Sequence, residues 1–149
     1  MNVKYRQYKT RDQKIVTELI KQLYKEDPGD QPASNKHIQK TLTILPKHKD
    51  KGTILIFELG KQLIGYSILI NYWSNEFGGN IVFIDELFIK KEFRGQGIGT
   101  NFIKYLMKNK FGNSVLLQIE VTPNNKKAKK LYEKLGFKLQ KNSTLMRKI

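Results

Sequence analysis

The sequence predicts an α/β domain whose central sheet is mixed but mostly antiparallel, with about six or seven strands and about four flanking helices. Apolar runs typical of buried strands alternate with stretches in which apolar residues recur at helical spacing. The strand-like runs are rich in Ile, Val, Phe and Tyr, which favour β-structure. The chain has 149 residues, enough for a single core, so we expect one domain over residues 1–149.

The first half of the chain predicts one strand and two helices. Alternating polar and apolar residues over 3–9 indicate the strand. A helix is expected from about residue 11 to 25, followed by a loop of breakers and carboxylates over 26–32. The second helix is capped by Ser34, and Pro46 is expected to end it.

The second half predicts a strand hairpin and two strand–helix units. Residues 53–59 and 62–72 flank a Gly-Lys turn, and a loop is expected from Trp73 to Asn80. A buried central strand begins at Ile81 and leads through a glycine-rich turn into a helix. The remaining elements are a strand over 115–121, a helix over 126–135, and two last strands over 137–140 and 144–149.

Composition excludes several classes of function. The chain has no cysteine, which rules out disulfides, thiolate metal sites and a cysteine nucleophile, and no His or carboxylate spacing predicts a metal site. Neither a secretory leader nor a membrane-length apolar run is present, so we expect a cytoplasmic protein without a membrane partner. The net charge of +15 attracts polyanions. The lysines are scattered and no nucleic-acid-binding motif accompanies them, so a nucleic-acid partner is not expected.

The central strand and the turn after it predict an anion site. Glycines at 95, 97 and 99 separate the strand from a helix that begins near Ile98. A helix N-terminus presents free N–H groups and partial positive charge, and glycines let the backbone approach a bulky anion. With Arg94 as a cation at the mouth, the turn suits a phosphate or pyrophosphate.

The type of phosphate ligand follows from the spacing. A P-loop needs Gly-Lys-Ser/Thr at the helix start, whereas Gly99 is followed by Thr100 and Asn101. The dinucleotide fingerprint needs a glycine where Thr100 stands. The run from Arg94 to Gly99 fits Arg/Gln-x-x-Gly-x-Gly/Ala instead. This pattern resembles the acyl-CoA-binding motif of the GNAT family of N-acetyltransferases.

A second stretch supports the same resemblance. Asn125 is followed by Ala128 and Tyr132 on a predicted helix that ends at Gly136. This spacing is similar to the second signature of the family, in which the Asn and the small residue face the cofactor and the Tyr reaches its sulfur. Both signatures occur in the family's order, and the predicted elements match the GNAT fold over nearly the whole chain.

The resemblance implies acetyl-CoA as the acetyl donor. In the family, the central strand and the strand before Asn125 splay apart, and the pantetheine arm pairs with the first of them. Backbone groups near Leu87, Phe88 and Ile89 are therefore expected to bind pantetheine. The pyrophosphate is expected to contact the turn and the helix start, that is, Arg94, Gly95, Gln96, Gly97, Ile98, Gly99 and Thr100.

Acetyl transfer to an amine needs a base, because an ammonium is no nucleophile. Asp85 and Glu86 are the candidates, and we favour Glu86. Since adjacent strand residues point to opposite faces, only one of the two is expected to face the acetyl group. Tyr132 is the expected proton donor to the leaving thiolate, and the N–H of Phe88 is expected to stabilise the oxyanion. The absence of cysteine favours direct transfer in a ternary complex.

Carboxylates in two loops predict the acceptor. The resemblance is nearest to the diamine and polyamine acetyltransferases, and in this fold both loops border the acceptor cleft. A small cationic amine is therefore expected, with a protein or peptide amine, an aminoglycoside and a non-catalytic acyl-CoA or nucleic-acid binding module as the alternatives. Family members often dimerise, so a homodimer stays open. The candidate acceptor-binding residues are Glu26, Asp27, Asp30, Trp73 and Glu76.

Overall fold

Five strands form one sheet in the computed structural model, which describes residues 2–149. They lie side by side in chain order; β1 to β4 are antiparallel neighbours and β5 runs parallel to β4. The predicted α/β class with a mixed, mostly antiparallel sheet is therefore confirmed. The strands are β1 (Val3–Gln7), β2 (Gly52–Leu59), β3 (Gln62–Ser74), β4 (Gly79–Ile89) and β5 (Ser114–Ile119).

Within the described residues, four α-helices flank the sheet, two on each face. They are α1 (Gln13–Glu26), α2 (Asn35–Lys47), α3 (Ile98–Lys108) and α4 (Lys126–Lys134). Ser34 caps α2 as predicted, accepting a hydrogen bond from the His37 N–H at 3.4 Å. Pro46 lies inside the last turn of α2, so the helix ends one residue later than expected. None of the helices within residues 2–149 is both long and apolar enough to cross a membrane.

The sheet separates two apolar clusters. One lies under α1 and α2 and includes Val16, Leu19 and Tyr66, whereas the other lies under α3 and includes Phe57 and Phe102. Because β4 contributes residues to both clusters, it is buried on both faces, as its nearly continuous apolar sequence predicted. This burial fixes the strand that carries the two candidate carboxylates.

The sheet has fewer strands than the six or seven predicted. Residues 137–140 and 144–149 form neither strand nor helix. Phe137 packs against Tyr132, but the later apolar side chains have little to pack against, since Leu139, Leu145 and Met146 are 78%, 94% and 80% exposed. Strand propensity acts mainly through side-chain packing, so the β-like sequence alone does not order them. As a result β5 is an edge strand.

The β3–β4 hairpin is longer than predicted. The expected loop from Trp73 to Asn80 is mostly strand, because Trp73 pairs with Asn80 and Ser74 pairs with Gly79. Only residues 75–78 form the turn. Trp73 therefore lies on a strand end, where its side chain is 70% exposed.

Candidate active site

The sheet opens between β4 and β5. Pairing between these strands ends at Ile84 and Ile119, whereas β3 continues to pair with β4 as far as Gly65 and Ile89. Residues 85–89 therefore keep one strand neighbour and turn their other edge toward the opening. Leu87, Phe88 and Ile89, the predicted pantetheine-binding positions, all lie on this edge, where an extended group can add as a further strand.

The glycine-rich turn follows directly after the opening. Gly95 and Gly97 both have φ of +76°, and nothing lies within 4 Å of the position that a Cβ would occupy at either residue. Gly97 is the N-cap of α3, so the first N–H groups of this helix are directed at the turn. Left-handed glycines, open space and a helix start are the features expected of an anion site, and they fall on the residues predicted to contact the pyrophosphate.

Arg94 is held at the mouth of this turn by three contacts. Its Nε donates a hydrogen bond to the carbonyl of Ile89 at 2.6 Å, and its guanidinium carbon lies 5.1 Å from the centre of the Phe88 ring. Its Nη1 lies 2.7 Å from Oε2 of Glu26, at the end of α1. Glu26, a predicted acceptor-binding residue, is therefore paired in this structure with the cation predicted to bind the cofactor.

Glu86 occupies a tyrosine-lined site on the α1 side of the sheet. The hydroxyl of Tyr66 donates a hydrogen bond to Glu86 Oε2 at 2.7 Å, and the hydroxyl of Tyr24 interacts with the same carboxylate. Burial is the largest cause of the raised pKa of Glu86; the charge of Asp85 adds to it and the two tyrosines oppose it. A carboxylate whose pKa is raised toward the operating pH is suited to act as a general base.

The expected alternation of Asp85 and Glu86 fails, because the strand bulges between them. Ile68 pairs with Glu86 and Leu69 pairs with Ile84, which leaves Asp85 as an extra residue. The negative charges of both carboxylates consequently reach Tyr24, whose pKa rises to about 12 through burial first and then through these charges. The pKa of Asp85 is raised as well, first because the surrounding protein removes part of its hydration and then because of the charge of Glu120.

The second signature forms the start of α4. Asn125 is the N-cap, and its Oδ1 accepts a hydrogen bond from the N–H of Ala128 at 3.2 Å. Tyr132 follows one turn later and packs against Phe137, with 5.8 Å between the ring centres. Burial, and then the charge of Asp27, raise the pKa of Tyr132. This phenol therefore stays protonated at neutral pH, as a proton donor must.

The predicted acceptor residues divide into three groups. Asp27 lies at the opening, where it accepts a hydrogen bond from the Thr122 hydroxyl at 2.8 Å. Asp30 and Glu76 line an open cavity of about 1500 Å³ beyond β5, together with Tyr132. Trp73 lies five residues along β3 from the partner of Glu86, roughly 16 Å away along the strand, so it is not brought to the carboxylates.

Four residues at the site escaped the sequence analysis, namely Tyr66, Ser67, Glu120 and Thr122. Tyr66 and Ser67 read as ordinary members of an apolar strand, and only the register of β3 against β4 shows that they face Glu86. Glu120 is the first residue after β5, whose last pair with β4 is Ile119 with Ile84, and its charge acts on Asp85; the sequence does not mark where this pairing ends. Residues 2–149 contain no group of three or more His, Cys, Asp or Glu that could hold a metal ion.

The fold is that of solved acetyltransferase structures. It matches "a possible acetyltransferase from Clostridium difficile 630" with a TM-score of 0.85, over 100% of this chain and 99% of that one, at 20% identity. It also matches AAC(6')-Iy in complex with a bisubstrate analog, CoA-S-monomethyl-acetylneamine, with a TM-score of 0.79, over 100% and 99% of the two chains, at 18% identity. At these identities the likeness shows the fold alone.

The profile of the Acetyltransferase (GNAT) family matches residues 11–137, and the chain belongs to this family. This membership confirms the resemblance found in the sequence. Acetyl-CoA is the acetyl donor that enzymes of the family use.

Curated relatives match the chain over about half of its length. The thialysine N-epsilon-acetyltransferase of Sus scrofa is 33% identical over 78 residues, which are 52% of this chain and 45% of the relative. An uncharacterized N-acetyltransferase of Methanocaldococcus jannaschii is 32% identical over 88 residues, 58% of this chain and 53% of the relative. The chain thus spans about half the length of the curated relatives it matches.

Replacing Gly97 by Ala tests the anion site. The substitution forces an L side chain to keep φ at +76°, which costs about 1–2 kcal/mol of stability. We expect acetyl-CoA affinity, measured by isothermal titration calorimetry, to fall roughly tenfold, because relaxation of this strain redirects the N–H groups at the helix start.

Gly78→Ala is the matched control. Gly78 has φ of +64° with nothing within 4 Å of its Cβ position, and it lies in the turn before β4, at the opposite end of this strand from the glycine-rich turn. It should lose similar stability and keep acetyl-CoA affinity. Equal loss of affinity in both variants would contradict a role for the Gly97 turn in binding.

Proposed function

We propose that the protein transfers the acetyl group of acetyl-CoA directly to a small cationic primary amine, such as a polyamine, a diamine or a lysine-like amine. The observation that carries the proposal is the half-buried Glu86 carboxylate, which accepts a hydrogen bond from Tyr66 at 2.7 Å where β4 and β5 separate. The same opening leads into the glycine turn that suits the pyrophosphate of the donor. In this proposal the donor and the base meet at the end of β4.

In this proposal Glu86 makes the acceptor nucleophilic. Its carboxylate takes a proton from the substrate ammonium, directly or through water, and the neutral nitrogen forms a bond to the thioester carbon. Asp85 raises the pKa of Glu86, which strengthens it as a base. The backbone N–H of Phe88 stabilises the negative charge that develops on the carbonyl oxygen.

Tyr132 completes the transfer. When the carbon–sulfur bond breaks, the phenol donates its proton to the thiolate and regains one from solvent, while the attacking nitrogen releases its second proton. The products are the amide, free CoA and one net proton. Because burial and Asp27 raise the pKa of Tyr132, the phenol stays protonated until the thiolate appears.

The charge around the opening favours a cationic acceptor. The chain has 28 basic and only 13 acidic residues. Asp85 and Glu86 nevertheless lie where β4 separates from β5, Glu120 is the first residue after β5, and Asp27 is bonded to Thr122 in the loop beyond it. Complementary charge lowers the cost of bringing an ammonium into a partly buried site. The curated relatives named for thialysine, a lysine-like amine, support the same class.

The Glu26–Arg94 ion pair links the two substrates in this proposal. Arg94 bonds to Glu26 at 2.7 Å, and the pyrophosphate of the donor competes for the same guanidinium. Binding of the donor then releases Glu26 at the end of α1, beside Asp27. One more carboxylate becomes free to attract the acceptor once the donor is in place.

A panel of amines tests the acceptor class. CoA release from acetyl-CoA is measured with a thiol reagent in the presence of spermidine, diaminopropane, thialysine, a lysine peptide or an aminoglycoside. We expect kcat/KM for at least one of the small amines to exceed that for the peptide by roughly two orders of magnitude, since the peptide brings less local charge. Turnover of the peptide alone would contradict the proposed class.

Glu86→Gln tests the base. The amide has nearly the same shape but accepts no proton, so kcat/KM should fall roughly a hundredfold or more with acetyl-CoA affinity retained. In the wild type, protonation of Glu86 abolishes its action as a base. Because its pKa is raised, activity should fall on acidification at a higher pH than an exposed glutamate would give.

The exposed Glu18, which pairs only with Lys21 on α1, supplies the control. Glu18→Gln should keep both the rate and the pH profile. If Glu86→Gln retained the wild-type rate, Glu86 would not be the base.

Tyr132→Phe tests the proton donor. Phe keeps the packing against Phe137 and removes only the hydroxyl, so kcat should fall roughly tenfold or more with little change in acetyl-CoA affinity. Tyr105→Phe on α3, in the aromatic cluster with Tyr5 and Phe102, is the control and should leave kcat unchanged. Unchanged turnover of Tyr132→Phe would remove this residue from the mechanism.

A further inference from the structure

Tyr66 is a core residue with an uncommon hydrogen-bond partner. It lies in the middle of β3 with no exposed surface, and its ring is 6.2 Å from that of Phe88. A buried hydroxyl needs a hydrogen-bond partner, and most side-chain hydrogen bonds are made to backbone or water. Tyr66 instead donates to a carboxylate, Oε2 of Glu86 at 2.7 Å.

The register of β3 against β4 produces this contact. Tyr66 pairs with Phe88, and Glu86 is two residues earlier on β4, on the same face. Diagonal neighbours in a sheet are about 7–8 Å apart, a distance that a tyrosine ring can bridge. The next residue, Ser67, donates from its hydroxyl to the Glu86 carbonyl at 2.8 Å. Two consecutive residues of β3 thus hold the side chain and the main chain of Glu86 beside the bulge.

We propose that Tyr66 is a positioning residue for acetyl transfer: its buried hydroxyl fixes Oε2 of Glu86 and leaves Oε1 to meet the acceptor amine. The inference rests on the proposed function, because it takes Glu86 as the general base. Tyr66 does not touch either substrate; it acts through the orientation and the ionisation of Glu86.

A neutral hydrogen-bond donor such as the Tyr66 hydroxyl suits this positioning role better than a cationic side chain would. The groups that face Glu86 are Tyr24 from α1, Tyr66 from β3 and Asp85 from β4 itself. Burial and Asp85 favour the protonated acid, and the two hydroxyls favour the carboxylate. A lysine in the place of Tyr66 would orient Glu86 too, but its full charge would lower the basicity of the carboxylate much more. Tyr66 keeps Glu86 ionised and still basic.

Tyr66→Phe removes the hydroxyl and keeps the ring. We expect kcat to fall roughly tenfold with an unchanged KM for acetyl-CoA. The acidic limb of the kcat/KM profile should move to higher pH by about one unit, the shift expected when one hydrogen bond to a charged group is lost. A purely structural role of Tyr66 would lower thermal stability and leave this limb in place, which would overturn the proposal.

A direct titration separates this inference from the proposed function. The carboxyl carbon of Glu86, labelled with ¹³C and identified by its loss in Glu86→Gln, is followed by NMR without substrates. An increase of the Glu86 pKa in Tyr66→Phe supports the proposal. An unchanged Glu86 pKa overturns it even if Glu86→Gln has shown that Glu86 is the base. If the Glu86 pKa rises in Tyr66→Phe but the acidic limb of the kcat/KM profile does not shift, the proposal is also overturned. In that case Glu86 is not the general base.

A double-mutant cycle tests whether Tyr66 acts through Glu86. In the Glu86→Gln background there is no carboxylate to orient, so adding Tyr66→Phe should change kcat by less than about twofold. Independent, multiplying losses would overturn the proposal. Tyr5→Phe is the matched control, because Tyr5 is a partly buried tyrosine of the other cluster, 5.0 Å from Phe57. It should leave the kinetic limb and the Glu86 titration unchanged.

Discussion

The end of the pairing between β4 and β5 is the constraint on which the candidate site depends. Up to Ile84 and Ile119 the two strands share a ladder, and beyond them β4 keeps only β3 as a neighbour. A backbone edge that is released from one neighbour but still held by another is rigid and open, which suits recognition by strand addition. The bulge at Asp85 lies where the ladder ends, so the opening and the change in side-chain direction arise together.

The end of α1 crosses this opening. Glu26 contacts Arg94 in the turn after β4, and Asp27 contacts Thr122 in the loop after β5. Two adjacent carboxylates therefore connect the two sides of a gap that the sheet leaves unconnected. In the proposed function, Glu26 pairs with Arg94, which binds the donor. The charge of Asp27 raises the pKa of Tyr132, which protonates the leaving thiolate.

The sequence alone predicted the class of fold and the residues that depend on local chemistry. Gly97 and Gly136 have positive φ and lie at helix ends, and Ser34 caps α2; such features leave a pattern within a few residues. Contacts that depend on the register between strands left no pattern in the sequence. The contacts of Tyr66 and Ser67 with Glu86 join residues about twenty apart. The two predicted C-terminal strands are the opposite case: their local pattern favours strands, but strands do not form, because most of their apolar side chains have no surface to pack against.

The long-range field of the protein and the charges close to the opening have opposite signs, so in the proposed function they favour different substrates. The net charge of +15 gives the molecule a positive field, which attracts a polyanion such as the donor from a distance. At physiological salt this field is screened within about 8 Å, so a ligand close to the opening experiences mainly the nearest groups. Those groups include the carboxylates Asp27, Asp85, Glu86 and Glu120, whereas the Arg94 cation in the turn is paired with Glu26. A basic protein can therefore present a locally acidic site, and in the proposed function a cationic acceptor gains attraction only after it has come close to Glu86, the proposed base.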